Sequence, residues 1–375
     1  MESIVTPGGH EIDFDRILVE DLKQLGHEVN FFVPEGTKLK CNHNAPLYYL
    51  PGSGVSYEGL KGIKKLLASV KREFNRQRWF NRMYELAKED IFDAIIIPTS
   101  TYRYLRALSI NKLKKSPVPV IFIVHGVNPR EERRFFNAVN QLHGADNIRV
   151  AVISLQDSVF GHKVKNVHCI KPPTYIPRDI LYNAAIKKSG ILRLGFFGQY
   201  RREKNLDGLL DIFLSCKFDY AVEMFVQGAT LHPDDAADFE RIIQKYKHHS
   251  HIRFLHKGLY GAEWQEAIAS VDVLLMPYAS NRYLYHWAGM LFTAIGYQKP
   301  VIASKEINPE VFENYMIGAT FNSENLNDLK TVLEQFVNNY YSQTEIYEQE
   351  LSRAANDFSP QMFAASLVKL AKGDV

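Results

Sequence analysis

What most constrains this chain is a rhythm of short apolar runs alternating with helical periodicity, which stops once at a cluster of prolines and then starts again. In the first half the runs are Ser3–Thr6, Glu28–Val33, Ala94–Ile97, Val118–Val124 and Val150–Ile153. Between the first two, Ile12, Leu18, Val19, Leu22 and Leu25 recur at helical spacing, and Gly26 ends that helix. Strands that are apolar throughout are buried on both faces, which implies a parallel sheet covered by helices on each side. The segment 170–177, IKPPTYIP, breaks the pattern, because Pro172, Pro173 and Pro177 suit neither a helix nor a central strand. The alternation resumes with strands at Leu192–Phe197, Val222–Val226, Ile252–Leu255, Val273–Met276 and Pro300–Ala303, and with clear helices at Leu206–Leu214 and Ala262–Ala269. The chain has 375 residues, a comfortable length for two domains. The expected fold class is therefore α/β: two Rossmann-like, doubly wound parallel-sheet domains facing across a cleft. The expected boundaries are an N-terminal domain at 1–172, a linker at 173–190, a C-terminal domain at 191–357 and a last helix at 358–375. Ligands of such sheets bind beyond the carboxyl ends of the strands.

Charge and cysteine usage exclude several classes. A net charge of +3 is too small to imply nucleic-acid binding. Cys41, Cys169 and Cys216 are far apart, odd in number and match no metal spacing, which suits a reduced, cytoplasmic setting. The start MESIVTPGG has no apolar core of a signal peptide, and no apolar run approaches the about 20 residues of a membrane span. No G-x-G-x-x-G follows the first strand of either half, which argues against a plain NAD enzyme.

The sharpest local signal is 198–205, GQYRREKN, directly after an apolar strand and before a helix. Gly198 permits close backbone approach, a helix start offers free N–H groups, and Arg201, Arg202 and Lys204 add positive charge. Together these describe a diphosphate site, although a solvated loop with surface cations would carry the same residues. At the end of the strand VPVIFIV, His125 precedes Gly126. It is a candidate for contacting a transferred sugar or moving a proton, and a structural histidine would look the same. His10, Glu11, Asp13 and Asp15 are candidate bases, with Asp13 and Asp15 equally readable as acids of a helix's first turn.

At Gly198, Glu203 and Lys204 the chain resembles the GT-B glycosyltransferases of family 4, or group 1, which carry G-R-L-x-x-E-K-G after the first strand of the C-terminal domain. Gln199 stands where that pattern has arginine. The resemblance implies that Lys204 binds the donor diphosphate, with Arg201 or Arg202 supplying the missing charge. It continues through 251–278, where His256 to Leu259, including Lys257, would pack against the nucleotide base, and through QKPVIAS at Gln298–Ser304. The two glutamates of many retaining members fall here on Tyr285 and Thr293, neither acidic. The intervening segment is similar to a variant pattern, P-Y-x-x-x-R-Y-x-x-x-x-S-G, matched by Pro277, Tyr278, Arg282, Tyr283 and Gly289, with Ala288 in place of serine. That variant implies that amides of Gly289, Met290 and Leu291 point at the donor phosphates and that Arg282 contacts a phosphate or hydroxyl. Tyr283, Tyr285 and Trp287 would equally serve as packing between domains. By the same resemblance Gly8 and Gly9 line the cleft, and the last helix crosses back to the first domain.

Residues 60–82 combine a helical stripe of Leu60, Ile63, Leu67, Val70 and Phe74 with eight cations and one acid, Glu73, followed by Trp79 and Phe80. This composition suits an anionic membrane surface; a stripe packed on its own domain is the plainer alternative.

The resulting expectation is a cytoplasmic glycosyltransferase, possible at the inner membrane face. It would move a hexose from a nucleoside-diphosphate donor, UDP or GDP, to a glycan or polyprenyl-linked acceptor in polysaccharide or glycoconjugate synthesis. Retention is favoured over inversion. No cofactor, metal or nucleic acid is expected, since cations and helix ends can stabilise the leaving diphosphate. The rival readings are a nucleotide-sugar 2-epimerase and a non-catalytic subunit that binds nucleotide sugar or glycan.

Overall fold

A computed structural model describes residues 11–39, 42–57, 60–155 and 164–374. The chain divides into two compact units, and the second comprises Pro173–Ser359. The first takes in Glu11–Pro172 and regains the chain's end at Pro360–Val375.

In the second unit six parallel strands form one sheet: β7 (Leu192–Phe196), β8 (Val222–Gly228), β9 (Ile252–His256), β10 (Val273–Met276), β11 (Val301–Ser304) and β12 (Gly318–Phe321). Their order is β12-β11-β10-β7-β8-β9. Counted from β7 this is the doubly wound order of a dinucleotide-binding sheet, and the order reverses between β7 and β10. The strands are short and apolar because both faces are covered: Leu192, Leu194, Phe196, Val273 and Met276 are all buried. Gly195 is required there, since a Cβ would come within 2.3 Å of the Phe197 ring.

In the first unit, β3 (Ile95–Ser100), β4 (Val120–Val124), β5 (Ile148–Ile153) and β6 (Val167–Ile170) form a parallel four-stranded sheet, and β1 (Phe31–Glu35) pairs in parallel with β2 (Leu47–Ser53). Every residue of β4 is buried. Helix α1 (Glu11–Gln24) and the last helix, α12 (Pro360–Lys372), pack together, with Phe14 and Phe363 meeting edge to face at 5.6 Å. Helix α4 (Pro129–Asn140) begins on Asn128, whose side chain accepts from the Arg130 amide.

Three strands, β2, β6 and β12, were not anticipated from the sequence. β2 carries Pro51 and Gly52, residue types that favour turns; Gly52 lies at φ +91°, and the long helix α2 (Gly62–Lys88) covers the strand. There Trp79 Nε1 donates to the Pro51 carbonyl and Asn75 Nδ2 to that of Ser53. The expected strand Ser3–Thr6 lies outside the described residues.

Beyond Ile170, which ends β6, the proline-rich stretch has no helix or strand, yet it is fastened to the second unit. The Thr174 amide donates to the Phe358 carbonyl, the Tyr175 amide to that of Phe292, and the Arg178 and Asp179 amides to the Gln265 side chain.

Candidate functional site

The reversal of strand order leaves the loops after β7 and β10 side by side, with no crossover helix between them. Those loops carry the two segments singled out from the sequence. They are joined by a backbone hydrogen bond, the Ala279 amide donating to the Glu203 carbonyl at 2.8 Å.

After β7 the chain turns at Gly198, whose φ of +101° favours glycine. Its amide donates to Gln227 Oε1 at 2.9 Å. Residues Arg202–Lys204 form a 3-10 turn, Asn205 takes a left-handed conformation, and only then does helix α5 (Leu206–Ser215) begin. The expected direct passage from tight turn to α-helix is thus interrupted, and this turn folds the Lys204 side chain back into the protein.

Lys204 is buried, and its Nζ lies 4.7 Å from the centroid of the Tyr278 ring. Its hydrogen bond to the Phe197 carbonyl is long, 3.4 Å. A Cβ on Gly198 would stand 3.5 Å from that nitrogen, so the amine sits against the turn itself. Burial, with the charges of Arg201 and Arg282 outweighing that of Glu203, brings its pKa down to about 7. Beneath it Tyr278 is buried; its hydroxyl has no hydrogen-bond partner among the described residues, and burial raises its pKa.

Arg201 and Arg282 approach one carboxylate oxygen, Glu203 Oε1, at 3.7 and 3.8 Å, and both guanidiniums remain partly exposed. Arg282 also lies over the Tyr283 ring, 5.2 Å from its centroid. Arg202 is placed differently from expectation. Its side chain is largely exposed and pairs at 3.3 Å with Asp238 on helix α6 (Pro233–Tyr246), so the structure brings Arg201 and Arg282, not Arg202, to Lys204. Lys257 follows β9 and pairs with Glu263 at 2.8 Å.

Helix α8 (Gly289–Gly296) follows Arg282 in the chain. Gly289 and Met290 supply its first amides, which by helix geometry have no acceptor within the helix. The amide before them, of Ala288, donates to Asn308 Oδ1 at 2.8 Å. Thr293, one of the two positions where the resemblance would place glutamates, is buried, and its hydroxyl donates to the Gly289 carbonyl at 2.9 Å; Tyr285, the other, is exposed. Trp287 stacks on Tyr175, 5.7 Å between ring centroids, and meets Phe292 edge to face, both within its own unit.

His125 stands at the end of β4 in the first unit. Its Nε2 is 2.8 Å from the Pro98 carbonyl, and the ring meets Phe14 edge to face. A carbonyl can only accept, so Nε2 carries a proton. Asp13 forms a 3.6 Å ion pair with Arg16 one helical turn on. Gly8, Gly9 and His10 lie outside the described residues, as does the side chain of Glu11. Among the described residues no three His, Cys, Asp or Glu side chains stand together in a group that could hold a metal ion.

Sequence reasoning missed Gln227 and Asn308. Neither belongs to a motif, and their partners are backbone groups far away in the sequence, so no local signal marks them.

No protein-family model matches the chain, and no curated protein matches it by sequence. Solved structures do match. HepE of Anabaena, in complex with UDP and glucose, superposes with a TM-score of 0.66 at 15% identity, covering 98% of each chain. The catalytic domain of starch synthase IV from Arabidopsis thaliana, bound to ADP and acarbose, gives 0.65 at 14% identity, over 97% of this chain and 95% of that one. Sucrose-phosphate synthase from Thermosynechococcus elongatus gives 0.63 at 14% identity, over 98% and 93%. The fold is that of the GT-B glycosyltransferases, with two Rossmann-like α/β domains. At such identities the likeness is one of fold.

Proposed function

We propose that this protein is a glycosyltransferase that takes a sugar from a nucleoside-diphosphate donor, with the diphosphate held at the switch point of the second unit. The observation that carries the reading is Lys204: a buried amine with, among the described residues, one long hydrogen bond, flanked by Arg201 and Arg282 and followed along the chain by the start of α8. A group of this kind is poorly satisfied until an anion arrives. The leaving diphosphate gains charge as the glycosidic bond breaks, and two guanidiniums, an ammonium and the amides of Gly289 and Met290 stabilise it there without a metal. The nucleotides named with the neighbouring structures, UDP in HepE and ADP in the starch synthase, favour the same class of donor, and UDP or GDP is our choice. Lys257 and the loop after β9 are assigned to the base. His125 is our candidate for contact with the sugar, its Nε2 donating to the Pro98 carbonyl. Retention of configuration is the favoured outcome.

The acceptor is proposed to be a glycan or a lipid-linked saccharide reached at an anionic membrane surface. Among the described residues no helix is long and apolar enough to cross a membrane. Helix α2 presents Ile63, Leu66, Leu67, Val70 and Phe74 to solvent, each more than 60% exposed, among the exposed cations Lys61, Lys64, Lys65, Lys71 and Arg78. That arrangement suits a helix lying in a headgroup layer. Trp79 and Phe80 take no part, being buried against the first unit's sheets, and Arg76 is buried and pairs at 2.6 Å with the partly exposed Glu73.

The test is a screen of UDP-, GDP-, ADP- and dTDP-sugars for a rise in melting temperature, followed by assay of donor hydrolysis and transfer with and without chelator. Lys204→Ala and Arg282→Ala should each weaken the hit about tenfold or more; if neither does, the assigned site is wrong. A second reading, a nucleotide-sugar-binding subunit without catalysis, is favoured by Thr293, whose hydroxyl is spent on its own helix at a position where many retaining GT-B enzymes would carry a carboxylate. Binding without hydrolysis or transfer would select it.

A further inference from the structure

We propose that Asn308 is a positioning residue for the donor site, one that fixes Arg282 and the start of helix α8 as a single rigid element before any ligand arrives. The inference rests on the reading of this site as a nucleotide-diphosphate site.

Asn308 lies between β11 and helix α9 (Pro309–Asn314), outside both loops that carry the site, and it is buried. It adopts φ +40° and ψ +63°, a left-handed conformation that costs a non-glycine residue energy and persists where the surroundings enforce it. Its carboxamide is used at both ends. Nδ2 donates to the Tyr283 carbonyl at 3.1 Å and to the His286 carbonyl at 3.4 Å, while Oδ1 accepts from the Ala288 amide at 2.8 Å. Its own backbone amide also donates to the Tyr283 carbonyl, at 3.3 Å. The orientation of the carboxamide is forced, since carbonyls only accept and an amide N–H only donates.

These bonds tie down Tyr283 to Ala288, the stretch between Arg282 and the first free amides of α8. Within it the Arg282 carbonyl accepts from the Tyr285 and His286 amides, so the arginine's backbone belongs to the same braced turn. The brace matters because Arg282 is partly exposed and 3.8 Å from its nearest acid, contacts too loose to hold it alone. A cation and a pair of amides that must meet one diphosphate gain most when their relative position is set in advance. Aspartate would keep the acceptor for Ala288 but turn a charged oxygen on the two carbonyls. Glycine would accept the backbone conformation and lose the brace.

The test is a double-mutant cycle read by calorimetric titration of the wild-type protein and its variants with the nucleotide found in the donor screen, alongside melting temperatures. Asn308→Asp should weaken nucleotide binding about tenfold, and Asn308→Gly, the variant if the aspartate does not fold, by a similar factor. In an Arg282→Ala background either change should cost less than about threefold, because the group it positions is gone. A merely structural residue would lower the melting temperature and leave the two effects multiplicative. Multiplicative effects, or wild-type affinity in folded Asn308 variants, overturn the proposal while the donor site stands. Failure of the wild-type protein to bind any of the four nucleotides overturns both.

Discussion

At the scale of single residues, Lys204 sets two expectations of opposite sign. Its pKa is brought down to about 7 mainly by burial, against 10.5 for the free side chain. Between those values the unfolded chain binds a proton that the folded one lacks, so this group's contribution to stability rises with pH through that window. Below about pH 7 the amine is charged in both states and its burial penalty is fully present. Lys204→Met removes the buried charge; the melting temperature at pH 7 should rise, by an amount corresponding to about 1–3 kcal/mol, while nucleotide protection disappears. A variant less stable than the wild type would mean that the ammonium is better satisfied than its 3.4 Å bond to the Phe197 carbonyl implies. The same pKa governs binding. A diphosphate favours the ammonium form, so donor affinity should fall as pH rises above about 7, by up to about tenfold per unit, with uptake of a proton. Calorimetry at pH 8 in two buffers of different ionisation heat measures that uptake directly; no buffer dependence would remove Lys204 from the diphosphate.

At the scale of elements, helix α2 shows what the sequence could and could not convey. Its amphipathic stripe was legible from spacing, but spacing does not say what covers a stripe. In the structure the helix is divided: Ile63 to Phe74 face solvent, and Asn75, Trp79 and Phe80 are anchored on β2 and the first unit's core. Leu66→Glu with Phe74→Glu should therefore leave the fold intact and abolish co-sedimentation with vesicles rich in phosphatidylserine or phosphatidylglycerol. Wild-type binding should weaken as salt rises, because about 1 kcal/mol per surface cation is screened. Salt-independent binding to neutral vesicles would contradict the charge argument. The strands of the second unit were legible for the opposite reason: a central parallel strand such as β10, buried on both faces, announces itself in four apolar residues, Val273–Met276. β12 was missed because it is an edge strand, GATF, whose first three residues are only half-buried. The site divides the same way. Gly198, Lys204, Tyr278 and Arg282 sit at strand ends where a motif is contiguous. The turn of Arg202 towards Asp238 depends on a helix more than thirty residues on, as the bracing by Asn308 depends on a different loop, and neither is written locally.

At the scale of the whole molecule, the division into units makes the end of the chain part of its beginning. Helix α12 follows the second unit in sequence but belongs to the first, where Phe363, Ala364, Leu367 and Leu370 are buried and Phe363 meets Phe14. Burying three such large side chains contributes roughly 1.5–3 kcal/mol each, comparable with the whole stability of a domain. Deleting 360–375 should therefore loosen residues 11–172 while the sheet that carries Lys204, Tyr278 and Arg282 stays folded. Hydrogen exchange resolves the two: peptides from α1 and β4 should lose protection in the truncated protein, those from β7 and β10 should keep it, and nucleotide should still slow exchange at 198–204 and 278–290. Equal loss of protection throughout would show that the units unfold as one cooperative body, and that the donor site depends on the first unit for more than covalent attachment.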